Sequence, residues 1–114
     1  MADLVAIQIH VFIANTMPRC IDIRKYIDAL GKQYPANFNR PKIWDVETPL
    51  AHRQIWEFGI AGISYNYLPI TVVEKAFKLD HGEMHTDAQL GYGFDAAVEL
   101  IKKHAILEPI KKEA

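Results

Sequence analysis

Cys20 is the only thiol in the 114 residues, and it closes the stretch Met17-Pro18-Arg19-Cys20. Pro18 suits the first position of a helix, where its missing N–H costs nothing, so Cys20 falls inside the first helical turn. A thiolate there would gain from the helix macrodipole, with Arg19 beside it in sequence. The same position keeps step with Ile23 and Ile27, the spacing of an inward face. A cysteine on such a face is a small buried hydrophobe whose pKa rises on burial. The spacing favours this second reading. A single cysteine excludes an intrachain disulfide and fits a reducing compartment.

Asp80, His81, Glu83, His85 and Asp87 are the densest group of residue types that bind metals. Positions 81, 83, 85 and 87 share one face if the segment is a strand, and two imidazoles with a carboxylate suit zinc or another divalent ion. No second ligand group of matching spacing accompanies them, so a solvated hairpin face is the favoured reading and no metal is assigned. His10 sits in an apolar run and is expected to be hydrogen-bonded in the core. His52 and Arg53 are expected to face solvent. Trp44, Trp56, Phe58, Tyr65 and Tyr67 are many aromatics for one small domain, expected as core or groove lining with some of them at a partner interface. There is no phosphate-binding glycine loop, no Ser/His/Asp order and no basic–aromatic stripe.

These residues need elements to position them. Residues 4–14 are β-branched and nearly continuous in apolar character, as in a central strand covered on both faces. Asn15-Thr16 breaks the strand. A helix then carries Cys20, Ile23, Ile27 and Leu30 on its apolar side, with Gly31 as its expected C-cap. Residues 32–41 form a polar loop. Residues 42–47 alternate as a second strand, and Thr48-Pro49 caps a second helix running to about Phe58, before Gly59. Residues 60–67 are an ordered connection, partly buried through Ile63, Tyr65 and Tyr67. A third strand starts at Leu68-Pro69 and continues through Leu79, with the proline confined to its start. Asp80-His81-Gly82-Glu83 is a tight turn with glycine where a positive φ is needed. Residues 84–90 return antiparallel, and Gly91-Tyr92-Gly93 breaks the strand. Asp95 is the expected cap of a last helix with Val98, Ile101 and Ala105 inward. The order is β-α-β-α-β-β-α, an α/β fold with a right-handed parallel βαβ first half, a mixed central sheet and helices on both faces. One domain, 1–106, is expected, with 107–114 as a flexible C-terminal tail.

Composition agrees with a globular domain. Half the residues are hydrophobic, 24% are charged and the formal net charge is −1, so no polyanion or membrane partner is suggested. The apolar run at 4–14 resembles a signal peptide only loosely: Asp3 precedes it, no Lys or Arg leads it, and Gln8 and His10 interrupt it. It is also too short to span a bilayer. A soluble cytoplasmic protein is expected.

The element order, the helix-start cysteine and the proline opening the third strand together resemble the thioredoxin-like superfamily over nearly the whole chain. Met17-Pro18-Arg19-Cys20 resembles its C-x-x-C motif in the glutaredoxin form, with Met17 in place of the first cysteine. Leu68-Pro69-Ile70 resembles the cis-proline turn, and Asp80-His81-Gly82-Glu83 the hairpin turn. Gly91-Tyr92-Gly93-Phe94-Asp95 resembles the glycine step that in glutaredoxins holds the glutathione γ-glutamyl end. A weaker likeness is to thioredoxin-fold proteins of conjugative elements. Since the family's nucleophile is the first cysteine, the resemblance implies a domain that has lost dithiol redox chemistry. It would hold a peptide or protein in a groove of Met17, Pro18, Arg19, Leu68, Pro69, Gly93, Phe94 and Asp95, without a cofactor. The alternative it implies is a glutathione-dependent oxidoreductase with Cys20 as its catalytic residue. There, Leu68 would pair with the tripeptide backbone. A metal module on residues 80–87 is a third reading. The oligomeric state is left open.

Overall fold

The structure, a computed structural model, describes residues 3–57 and 67–106. Its elements are β1 (Asp3–Ile13), α1 (Pro18–Gln33), β2 (Lys42–Asp45), α2 (Pro49–Glu57), β3 (Ile70–Lys78), β4 (Met84–Tyr92) and α3 (Phe94–His104). They form a mixed α/β fold around one four-stranded sheet of order β2-β1-β3-β4. β1 runs parallel to β2 and antiparallel to β3, and β4 runs antiparallel to β3. α1 packs against α3, and α3 against β1, β3 and β4, while α2 meets β2. The readings made for Phe58, Ile63, Tyr65 and residues 107–114 lie outside the described residues, as do those for the His52 and Trp56 side chains.

The core gathers at one end of the sheet. Ile9, Val11, Phe12, Ile13 and Ala14 are buried without a break, so both faces are covered there. They join Cys20, Ile23 and Ile27 of α1, Val46, Ile55 of α2, Ile70 and Val72 of β3, and Ala97, Leu100 and Ile101 of α3. At the other end the sheet is bare. Residues 3–6 of β1 are exposed, and so are residues 84–89 of β4. The two-face burial expected along all of 4–14 thus holds only from Ile9 onward. The reason is geometric. α3 has 11 residues and rises about 16 Å, while β4 has nine and extends about 30 Å, so the strands outrun the helices that cover them.

Three glycine or cap assignments differ from the sequence reading. α1 continues to Gln33 and ends at Tyr34, so Gly31 lies within the helix and is not its C-cap. A Cβ on Gly31 would stand 3.1 Å from Phe38 Cε2, so this glycine permits close packing of the following loop. β4 continues through Gly91 and Tyr92 and breaks only at Gly93, where φ is 90°. Gly91 is the point of closest approach to α3, because a Cβ there would lie 2.7 Å from Leu100 Cδ1. The N-cap of α3 is Gly93, not Asp95, which instead sits in the first turn and favours the positive end of the helix dipole. Thr48 does cap α2, its Oγ1 accepting the Ala51 N–H at 3.4 Å.

Candidate functional site

The strand register brings the sequence-selected segments to one end of the sheet. Phe12 of β1 is opposite Ile70 of β3, and Ile70 is opposite Tyr92 of β4. The chain therefore leaves β1 into α1, enters β3 through Leu68-Pro69 and leaves β4 into α3 along a single edge. The Leu68-Pro69 bond is cis. The Gly93 N–H donates to both the Tyr67 carbonyl, at 2.9 Å, and the Pro69 carbonyl, at 3.0 Å, tying the start of α3 to the proline turn. Met17 is the N-cap of α1 without a side-chain cap, and its own N–H donates to the Ala14 carbonyl at 3.0 Å.

Not every candidate is presented to solvent. Pro18 and Asp95 are exposed, and Met17, Arg19, Gly93 and Phe94 are half-buried. Leu68 is fully buried and Pro69 is buried as well. The sequence reading required a Leu68 backbone open to a peptide or to glutathione. Leu68 is instead wholly buried, in the core cluster beside Ile70. Cys20 is also fully buried, in step with Ile23 and Ile27. Burial pushes its thiol up, against the smaller opposing effects of hydrogen bonding to the Ala14 backbone and of the Arg19 charge.

Two features at this end escaped the sequence reading. Asn15 bridges two elements. Its Nδ2 donates to Asp45 Oδ2 at 2.7 Å, and its Oδ1 accepts from Arg24 Nη1 at 2.8 Å. This fixes the turn between β1 and α1 against the end of β2. Tyr92 is the second. Gly91 faces α3, so by strand alternation Tyr92 faces the opposite side of the sheet, where it meets Tyr67 edge-on with ring centroids 5.5 Å apart. Both tyrosines are more than half exposed. Carrying the period-2 alternation of β4 through Gly91 would have found this pair.

On that same side lies a polar group inside the core. The indole N–H of Trp44 donates to His10 Nδ1 at 3.0 Å, and His10 Nε2 lies 3.5 Å from Glu74 Oε1. Because an indole nitrogen only donates, Nδ1 must be the acceptor and the imidazole proton sits on Nε2, toward Glu74. Burial lowers the His10 pKa. Glu74 opposes that shift and Lys42 adds to it. Trp44 stacks near Phe12 at 6.3 Å, and the Lys42 ammonium stands 4.6 Å from its ring centroid. His10 is hydrogen-bonded in the core through Nδ1, as expected.

The hairpin histidines pair with their own neighbours. His81 Nε2 is 2.7 Å from Glu83 Oε2 and His85 Nε2 is 3.0 Å from Asp87 Oδ1, all strongly exposed. Among the described residues no three His, Cys, Asp or Glu side chains are grouped to hold a metal ion. Arg53 is exposed, as expected. Among the described residues no helix is long and apolar enough to cross a membrane.

No family model matches this chain, and no curated protein matches it. A solved structure described as "Structure of a malarial protein" is similar at 19% identity with a TM-score of 0.43, over 88% of this chain and 98% of that one. A likeness at that level carries no argument about function.

Proposed function

We propose that this chain is a thioredoxin-like binding domain without dithiol redox activity, which holds a peptide or protein partner at the sheet end where α1, the Leu68-Pro69 turn and α3 begin. The observation that carries the reading is the meeting of these three segments along one edge, with the Gly93 N–H shared between the Tyr67 and Pro69 carbonyls. The thiol count supports the loss of redox activity: with one cysteine, no internal disulfide can form. The burial and raised pKa of Cys20 favour a packing role over a nucleophilic one. The burial of Leu68 shifts the expected contact surface. Met17, Pro18, Arg19, Phe94 and Asp95 remain accessible, and the exposed Tyr67–Tyr92 pair extends the surface around the end of the sheet. Tyrosines presented this way combine apolar area with a hydrogen-bonding tip, which suits a protein partner in a cytoplasmic setting.

Peptide-display selection against the folded chain tests the binding role. Enriched peptides should lose binding to a Met17→Asp or Tyr92→Ala variant and keep it to Leu4→Ala, at the far end of β1. Peptides that bind all three variants equally would place recognition elsewhere. The glutathione-dependent alternative is separated by alkylation of Cys20 and by amide shifts on adding glutathione. Slow alkylation that accelerates only on unfolding, with Gly93, Phe94 and Asp95 unmoved, is the expected result. Fast alkylation of the folded chain would overturn it.

A further inference from the structure

Among the described residues the sheet has three stretches of open edge, and two carry the devices that discourage strand pairing. β2 is only four residues long. β1 beyond the end of β2 has a register shift between Leu4 and Ala6, and its Ile7 carbonyl accepts the Asn39 side-chain amide at 2.9 Å. β4 is different. It is nine residues long, contains no proline, lysine or arginine, and keeps an unbroken register with β3 from Lys78–Met84 to Ile70–Tyr92. Its first half lies on the bare end of the sheet, beyond the point where α3 approaches Gly91.

We propose that β4 is a self-association edge on which a second copy of this chain pairs, antiparallel, about a two-fold axis at Thr86. The hydrogen-bond phase limits the choice of axis. The Leu79 N–H donates to the Glu83 carbonyl at 2.8 Å, so in this register Glu83, His85, Asp87 and Gln89 point their backbone groups at β3. Met84, Thr86, Ala88 and Leu90 therefore point theirs outward, and a second strand must meet these. Charge then selects among the axes that keep this phase. An axis at Asp87 sets Asp87 against Asp87 of the second copy. An axis at His85 sets Asp87 against Glu83, and one at Ala88 sets His85 against Gly91. An axis at Thr86 puts each His85 opposite Asp87 of the second copy, with Met84 opposite Ala88 and threonine opposite threonine. These two side chains share a face and already reach each other within one strand, at 3.0 Å. Pairing repeats that contact twice across the axis and adds about six backbone hydrogen bonds.

Sedimentation equilibrium of the full chain tests the proposal. The expected result is a concentration-dependent doubling of mass and nothing larger. Thr86→Pro removes a central outward N–H that β3 does not use, so it should return the chain to monomer with its circular dichroism unchanged. His85→Asp sets carboxylate against carboxylate at both symmetric positions and should weaken the dimer about tenfold. The exchange His85→Asp with Asp87→His restores opposite partners in this register and should recover affinity to within about twofold. A monomer at every concentration up to millimolar, open-ended polymers, a dimer indifferent to Thr86→Pro, or a double exchange that stays weak would each overturn it.

Discussion

At one end of β1, Phe12 has no solvent exposure; at the other, Leu4 and Val5 keep half of theirs. All three belong to the same apolar run, and Phe12 and Leu4 lie opposite Ile70 and Phe77 of β3. What separates them is the cover. α1, α3 and the end of α2 stand over the first region, and nothing of comparable length reaches the second among the described residues. Hydrophobicity of a strand therefore marks where burial would be favourable, and the lengths of neighbouring helices decide where it happens. The covered end supplies the stability, and the bare end is left free for other contacts.

Point substitutions can break this contrast. Phe12→Ala removes a wholly buried ring stacked near Trp44 and should cost about 3–5 kcal/mol in urea unfolding. Gly91→Val forces side-chain atoms into Leu100 and Ala96 and should cost about 1–3 kcal/mol, with α3 losing hydrogen-exchange protection first. Acid should act through the two buried histidines. Burial lowers the pKa of both His10 and His104, for His104 with help from Lys75 and Lys103. Groups lowered in this way contribute stability that is complete above the ordinary value of 6.5 and is lost as pH falls through the folded values. The urea midpoint should accordingly fall between about pH 7.5 and about pH 5.5, and His10→Gln with His104→Gln should flatten that slope. Leu4→Ala should cost least, no more than about 0.5 kcal/mol in urea unfolding. A cost near that of Phe12→Ala would mean that the two ends are not energetically distinct.

Much of the architecture could be read from residue types alone. The element order followed from the alternation of apolar periods, and Pro18, Thr48-Pro49 and the Gly82 turn marked real boundaries, Gly82 having a φ of 88°. The errors came from glycines whose reason for being there is tertiary. Gly31 faces Phe38, seven residues onward in the loop, and Gly91 faces Leu100 in the last helix. A local rule reads each as a terminator, because glycine favours helix ends and strand breaks, yet both lie inside their elements for lack of room. The candidate site was legible as a set of segments and not as a surface. Register brings Met17, Pro69 and Gly93 to one edge, but the burial of Leu68 depends on packing that no single stretch encodes. The Tyr67–Tyr92 pair was hidden by the same misreading of Gly91.

Asn39 links parts of the chain that are far apart in order. Its backbone N–H donates to the Ala105 carbonyl at 2.7 Å while its side chain donates to Ile7, 32 residues earlier. Phe38 beside it bridges to Ile106. Contacts between the start, the middle and the end of a chain require two long loops to be closed, and the entropy of that closure makes them slow to arrive. Asn39 is therefore expected to make its contacts late in folding. Asn39→Ala should then leave the refolding arm of a stopped-flow chevron nearly unchanged and raise the unfolding arm, shortening the lifetime of the native state rather than slowing its formation.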